Sequence, residues 1–214
     1  MASDRPVMRG AEYLEILCDQ GPFPSPGDAD GAAVTVGGRY TRDAVRAYAE
    51  SGAVVQTLVD WPSGLGKPTV RQIEAVAAAK DGTATVQVMA HPAHVVGRHD
   101  AALREDIMGL VIAVREVSRE IGVDVVIEAG WLSGDVEYAE AVGLAVRESG
   151  GDGVVVSPAG MSDQQSTPLI SALSSMSGPM RVKVVSASAS DEALDGWLAC
   201  GADRVVVPSG ILFG

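Results

Sequence analysis

A single (β/α)8 barrel, the TIM-barrel architecture, spanning residues 1–214 is the fold this sequence predicts, and three observations predict it. Eight short apolar runs, most of them rich in valine, alternate with helical stretches, the pattern of a parallel sheet wrapped by helices. The spacing of these units is roughly 25 to 30 residues, which suits βα units. At 214 residues and 47% hydrophobic, the chain can bury one sizeable core, and no linker or low-complexity tract divides it.

The elements follow in order. Strands read near Tyr13–Cys18 and Gly31–Val36, joined by the turn-forming connector Gly21–Gly27, a candidate lid over the barrel mouth as well as a plain βα loop. The first helix, Thr41–Ser51, opens on Thr41, Arg42 and Asp43 and closes at Gly52. The third strand, Val54–Asp60, precedes a helix over Thr69–Lys80 that Gly82 ends. The fourth, Thr85–Ala90, leads through a histidine-bearing loop into Ala101–Ile121, with Gly122 as its stop. Asp124–Glu128 and Gly153–Ser157 flank the helix Val136–Ser149, which Gly150 closes. Thr167–Ser177 comes before the seventh strand, Val182–Val185. Ser190, Asp191 and Glu192 open Asp191–Cys200, Gly201 closes it, and Arg204–Val207 is the eighth strand. The chain stops soon afterwards, so the last helix is expected to be truncated or absent.

Composition excludes some functions. A formal charge of −12 with no basic run argues against nucleic acid or an anionic membrane as partner. Cys18 and Cys200 lie far apart, match no metal or redox spacing, and read as small buried hydrophobes. No apolar run of about 18 residues appears. A soluble cytoplasmic protein is expected, with its oligomeric state open between monomer and homodimer.

Lys183 is the outstanding residue. It stands inside an apolar strand, where an ammonium is costly unless it is paired or used, whereas Lys67 and Lys80 are peripheral. Strand ends at the C-terminal face of a barrel carry its chemistry, and reading each strand to its end gives a polar ring of Asp19, Asp60, Gln87, His91, Glu128, Ser157, Lys183 and Ser209. All three histidines, His91, His94 and His99, follow strand four; with Asp60 and Glu128 they make at most a weak metal set, and His91 reads better as a general acid or base. Trp131 and Met161 follow strands five and six and suit either a pocket wall or core packing. No P-loop or dinucleotide fingerprint is present, and no metal or cofactor is assigned.

The stretch Val59-Asp60-Trp61-Pro62-Ser63-Gly64, with Arg71 and Glu74 after it, resembles the aromatic-Pro-x-Gly signature of the deoxyribose-phosphate aldolase family. Further similarity runs in order through Ala33–Val36 to Tyr40, Val126–Leu132, Gly151–Val154, Arg181–Lys183 and Gly201–Val205, from about Ala33 to Ser209. The departures bear on function. Val155 stands where the resemblance implies a Schiff-base lysine on strand six, Gln87 where it implies the strand-four aspartate, and Thr35 where it implies a cysteine. Ser186 and Ala187 replace the glycine pair that holds a substrate phosphate, and Val206, Val207 and Pro208 replace a small Gly-Thr-Ser segment. Ordinary deoxyribose-phosphate aldolase activity is therefore not expected.

Three functions follow as expectations. The first is a divergent aldolase-like carbon–carbon lyase acting on a small carbonyl compound, with Lys183 as the amine, Asp60, His91 and Glu128 moving protons, and Asp19, Thr35, Gln87, Trp131, Ser157, Ser186 and Ser209 lining the substrate. The second is a barrel enzyme without imine chemistry, such as a cyclase, isomerase or dehydratase in specialised metabolism, in which Lys183 pairs with a carboxylate such as Glu128 or Asp60. The third is a non-catalytic small-molecule-binding protein.

Overall fold

A computed structural model describes residues 11–19, 23–176 and 178–213. Eight parallel strands close into one barrel in sequence order: β1 (Leu14–Cys18), β2 (Ala33–Gly37), β3 (Val54–Val59), β4 (Thr85–Met89), β5 (Gly122–Glu128), β6 (Gly153–Ser157), β7 (Arg181–Val185) and β8 (Arg204–Pro208). β8 pairs back onto β1, with Leu14 against Val205. Outside lie α1 (Thr41–Tyr48), α2 (Pro68–Lys80), α3 (Pro92–Val96), α4 (Asp100–Val117), α5 (Val136–Glu148), α6 (Asp163–Ser175), α7 (Asp191–Ala199) and α8 (Ser209–Phe213). Between β1 and β2 the described residues hold only a 3-10 turn, Pro26–Asp28. The last helix is present but only five residues long.

The valine-rich strands are buried on both faces, which is why they read as apolar runs without strict alternation. Outward-facing Ile16, Val34, Val86, Val125, Val154, Val184 and Val207 join the helices in the main core, whereas inward-facing Leu17, Leu58, Met89, Val126, Val155 and Val206 form a separate cluster inside the barrel. Side-chain caps open α5, α6 and α7. Ser190 caps α7 by accepting from the Ala193 N–H, Asp135 caps α5 by accepting from Tyr138, and Ser162 and Gln165 form a capping box on α6. That box moves the start of α6 to Asp163, ahead of the expected Thr167.

Glycine punctuation holds at four of the five positions proposed for it. Gly52, Gly82, Gly150 and Gly201 all take positive φ after a helix. Gly122 does not: α4 ends at Val117, Ser118 is its C-cap, and Gly122 is the first residue of β5. A Cβ there would fall 3.1 Å from both Arg181 Nη2 and Thr85 Oγ1, so a side chain would require these two groups to shift by a few tenths of an ångström. Among the described residues no helix is long and apolar enough to cross a membrane.

Candidate functional site inside the barrel and at its mouth

The barrel register sorts the inward side chains into layers of four, contributed by alternate strands. Glu15, Gln56, Asp124 and Lys183 come from β1, β3, β5 and β7; Thr35, Gln87, Val155 and Val206, from the even strands, form the next layer toward the C-terminal face. Two residues further along the odd strands stand Leu17, Leu58, Val126 and Val185, all of them apolar. Lys183 therefore lies beneath an apolar layer, and only 4% of its surface is exposed. Gln87 sits one layer above it, equally buried. Neither reaches the rim where a reading of strand ends alone puts them.

Lys183 is fully engaged. Its Nζ donates to Glu15 Oε2 at 2.8 Å and to Gln56 Oε1 at 2.6 Å, and it stands 2.9 Å from Asp124 Oδ2. That last contact is an ion pair without well-directed hydrogen-bond geometry, and no other donor reaches Asp124 Oδ2 among the described residues. Asp124 Oδ1 accepts from Arg181 Nη2 at 3.1 Å. Glu15 is wholly buried and surrounded by donors: Thr35 Oγ1 at 2.6 Å, Gln87 Nε2 at 2.6 Å, Gln56 Nε2 at 2.9 Å and Lys183. Burial pushes its carboxyl up, but the Lys183 charge and the hydrogen bonds from Lys183, Thr35 and Gln87 outweigh it and hold Glu15 below its ordinary range. The partners of Lys183 are thus Glu15 and Asp124, not Asp60 or Glu128.

Asp60 is held by the loop and helix that follow it. It takes φ of 54°, a conformation that aspartate tolerates better than most residues, and its carboxylate accepts from the Gly66 N–H at 2.9 Å and meets Arg71 Nε at 3.0 Å. Arg71 is 1% exposed and also binds Asp106 and the Met89 carbonyl. Glu74 accepts from the Asp60 N–H at 3.1 Å, and burial raises its carboxyl. Gly64 packs so closely on β4 that a Cβ would fall 2.3 Å from the Ala90 carbonyl oxygen. The motif from Asp60 to Gly64 is therefore a braced loop, with a cis Trp61-Pro62 bond, that carries Trp61 over the barrel.

Trp61 and Trp131 both pack on the interior apolar cluster, and Trp61 Nε1 donates to Asp19 Oδ2 at 3.3 Å. Glu128 ends β5, shares a face with Val126, is half-buried, and makes no side-chain hydrogen bond among the described residues. Ser157 pairs with Glu128 in register. Ser186 is buried and its Oγ donates to the Ser188 carbonyl, while Ser209 interacts with the Cys18 thiol, whose pKa burial raises. His91 is the N-cap of α3: its Nδ1 accepts from the Ala93 N–H at 3.2 Å, and its ring stacks on His94 at 4.4 Å. His94 is held below its ordinary value by burial and by His91. Among the described residues no three His, Cys, Asp or Glu side chains form a group that could hold a metal ion. The connector Gly21–Gly27 falls partly outside the described residues.

Sequence reading missed Glu15, Gln56 and Asp124. The signal was present: each is a polar residue inside an apolar strand, two positions before an inward apolar one, as Lys183 is.

No protein-family model matches this chain, and no curated protein does. Solved structures do. QR15, an aldolase, aligns over 95% of this chain and 93% of its own at 18% identity with a TM-score of 0.77. A tetrameric deoxyribose phosphate aldolase from Aeropyrum pernix covers 94% of this chain and 88% of its own at 17% identity, TM-score 0.78. The carboxyl transferase domain of Rhizobium etli pyruvate carboxylase covers 83% of this chain and 30% of its own at 14% identity, TM-score 0.60. At such identities the likeness establishes the barrel, which aldolases and other enzymes share.

Proposed function

We propose that this chain is an aldolase-like barrel enzyme of the deoxyribose-phosphate aldolase lineage that acts on a small carbonyl compound by proton transfer at the mouth, without an imine. The observation that carries this reading is the engagement of Lys183. Its ammonium faces Glu15, Gln56 and Asp124, and Val155 occupies the neighbouring strand-six position. An attacking amine needs a free lone pair and access to the carbonyl carbon, and this arrangement supports neither.

Glu128 meets the needs of a general base better. It lies at a strand end above an apolar floor, beside Trp131, with its carboxylate uncommitted among the described residues. Such a carboxylate can remove a proton from the carbon next to a carbonyl, while Asp19, oriented by Trp61, and the hydroxyl of Ser157 bind the oxygens of the same compound. Isomerisation, dehydration and ring closure all begin with that step. A second reading, an imine-forming lyase through Lys183, draws support from the aldolases among the structural neighbours and from the convergence of Lys183 and Gln87 in the barrel centre.

Deuterium wash-in tests the proposal. The protein is incubated in D2O with a panel of small aldehydes and ketones, and exchange at the α-carbon is followed by NMR. Glu128→Gln is expected to lower the exchange rate about 10²- to 10⁴-fold with the fold intact. Unchanged exchange in Glu128→Gln, or exchange accompanied by reducible adducts on Lys183, would favour the second reading.

A further inference from the structure

The outer faces of α2 and α4 carry an unusual surface. On α2 Val70 and Ile73 are 55% and 65% exposed, with Leu65 of the preceding loop 65% exposed, and on α4 Met108 and Ile112 are 48% and 53% exposed. Buried Ala75, Ala78 and Ala79 line the opposite side of α2, so that helix carries apolar residues on its solvent face as well as on its core face. The two helices are neighbours that pack on each other, and a Cβ on Gly109 would lie 2.7 Å from Gln72 Nε2, which fixes their relative level.

The charges in line with the apolar residues differ between the two helices, while Arg104 and Arg115 of α4 are turned to Glu148 and Asp152. On α2 the exposed stripe runs Lys67, Val70, Ile73, Ala77, Lys80, basic at both ends. On α4 it runs Glu105, Met108, Ile112, Glu116, acidic at both ends. At about 1.5 Å per residue the lysines stand about 20 Å apart and the glutamates about 17 Å apart. Because Gln72 is level with Gly109, the midpoints of the two stripes coincide along the helix direction.

We propose that α2 and α4 form an isologous interface with a second copy of this chain, α2 of each copy lying on α4 of the other. A two-fold axis parallel to the helices brings this about: Val70 and Ile73 meet Met108 and Ile112 of the second copy, Lys67 meets Glu105, and Lys80 meets Glu116. Each contact occurs twice. The apolar centre with an opposite-charge rim is the anatomy of a stable interface, and the sorting of charges selects α2 on α4 over α2 on α2, which would oppose lysine to lysine. The barrel mouth stays open, since the helices flank the barrel.

Analytical ultracentrifugation at micromolar concentration tests it. The unaltered chain is expected to sediment as a dimer, and Ile73→Glu as a monomer with unchanged circular dichroism. Lys80→Glu weakens the dimer at least tenfold, and adding Glu116→Lys to it restores dimerisation, because the swapped charges again face each other. These surface substitutions touch no core contact, so the charge pair remains informative if Ile73→Glu fails to fold. A monomeric unaltered chain overturns the proposal. So does a dimer indifferent to Ile73→Glu, or one that Glu116→Lys does not rescue.

Discussion

Replacing Lys183 by methionine isolates the role of its charge, because methionine keeps the length of the side chain and loses only the ammonium. In the folded chain that ammonium is shared by Glu15 and Asp124, both 0% exposed. Without it Asp124 retains Arg181, but Glu15 remains a buried anion held only by neutral donors. Removing one member of a buried pair costs about 3–5 kcal/mol. For a chain of this size that lowers the melting temperature by about 6–20 °C. Urea denaturation of Lys183→Met should show this loss. Adding Glu15→Gln removes the stranded charge, so the double variant should be more stable than the sum of the single losses implies, by about 1–3 kcal/mol. A cost below about 1 kcal/mol for Lys183→Met, or additivity within about 0.5 kcal/mol, would refute the view that this layer is an interdependent ionic unit.

Other outcomes follow from the same geometry. Glu15 is held below its unfolded value of 4.5, so the unfolded chain binds more protons through this window; the stabilisation is present above pH 4.5 and is lost as pH falls through the lower folded value. The urea midpoint should therefore drop more steeply below pH 4.5 in the unaltered chain than in Glu15→Gln. Arg71→Lys should cost about 3 kcal/mol in the same denaturation experiment, since an ammonium cannot reach Asp60, Asp106 and the Met89 carbonyl together. A thiol reagent should label Cys200 in the native chain and Cys18 only after unfolding, because Cys18 is buried with its pKa raised by burial.

How much the sequence disclosed varied with the range of the interaction. The strands were legible because valine runs buried on both faces need only local pattern, and Ser190 was legible as a cap because it acts on Ala193, three residues away. Lys183 stood out for the same local reason, an ammonium among valines. Its partners did not, because Glu15 is 168 residues distant and meets it only once the barrel closes. Parity put Asp60 at the mouth, yet its carboxylate turns to Arg71 of the following helix, a pairing that strand parity does not report. Gly122 has the look of a helix terminator and is instead a strand residue squeezed by Arg181 and Thr85. The depth of Lys183 and Gln87 followed from register, which strand composition does not encode.

Borohydride reduction in the presence of a panel of small aldehydes and ketones, followed by intact mass and peptide mapping, tests the central claim that Lys183 holds the barrel together and forms no imine. The expected result is no adduct on the peptide carrying Lys183, under conditions where the same panel shows α-carbon exchange dependent on Glu128. A stoichiometric adduct on Lys183, with the mass of a carbonyl compound less water plus hydride and absent in Lys183→Arg, would contradict the claim and return the chain to imine chemistry.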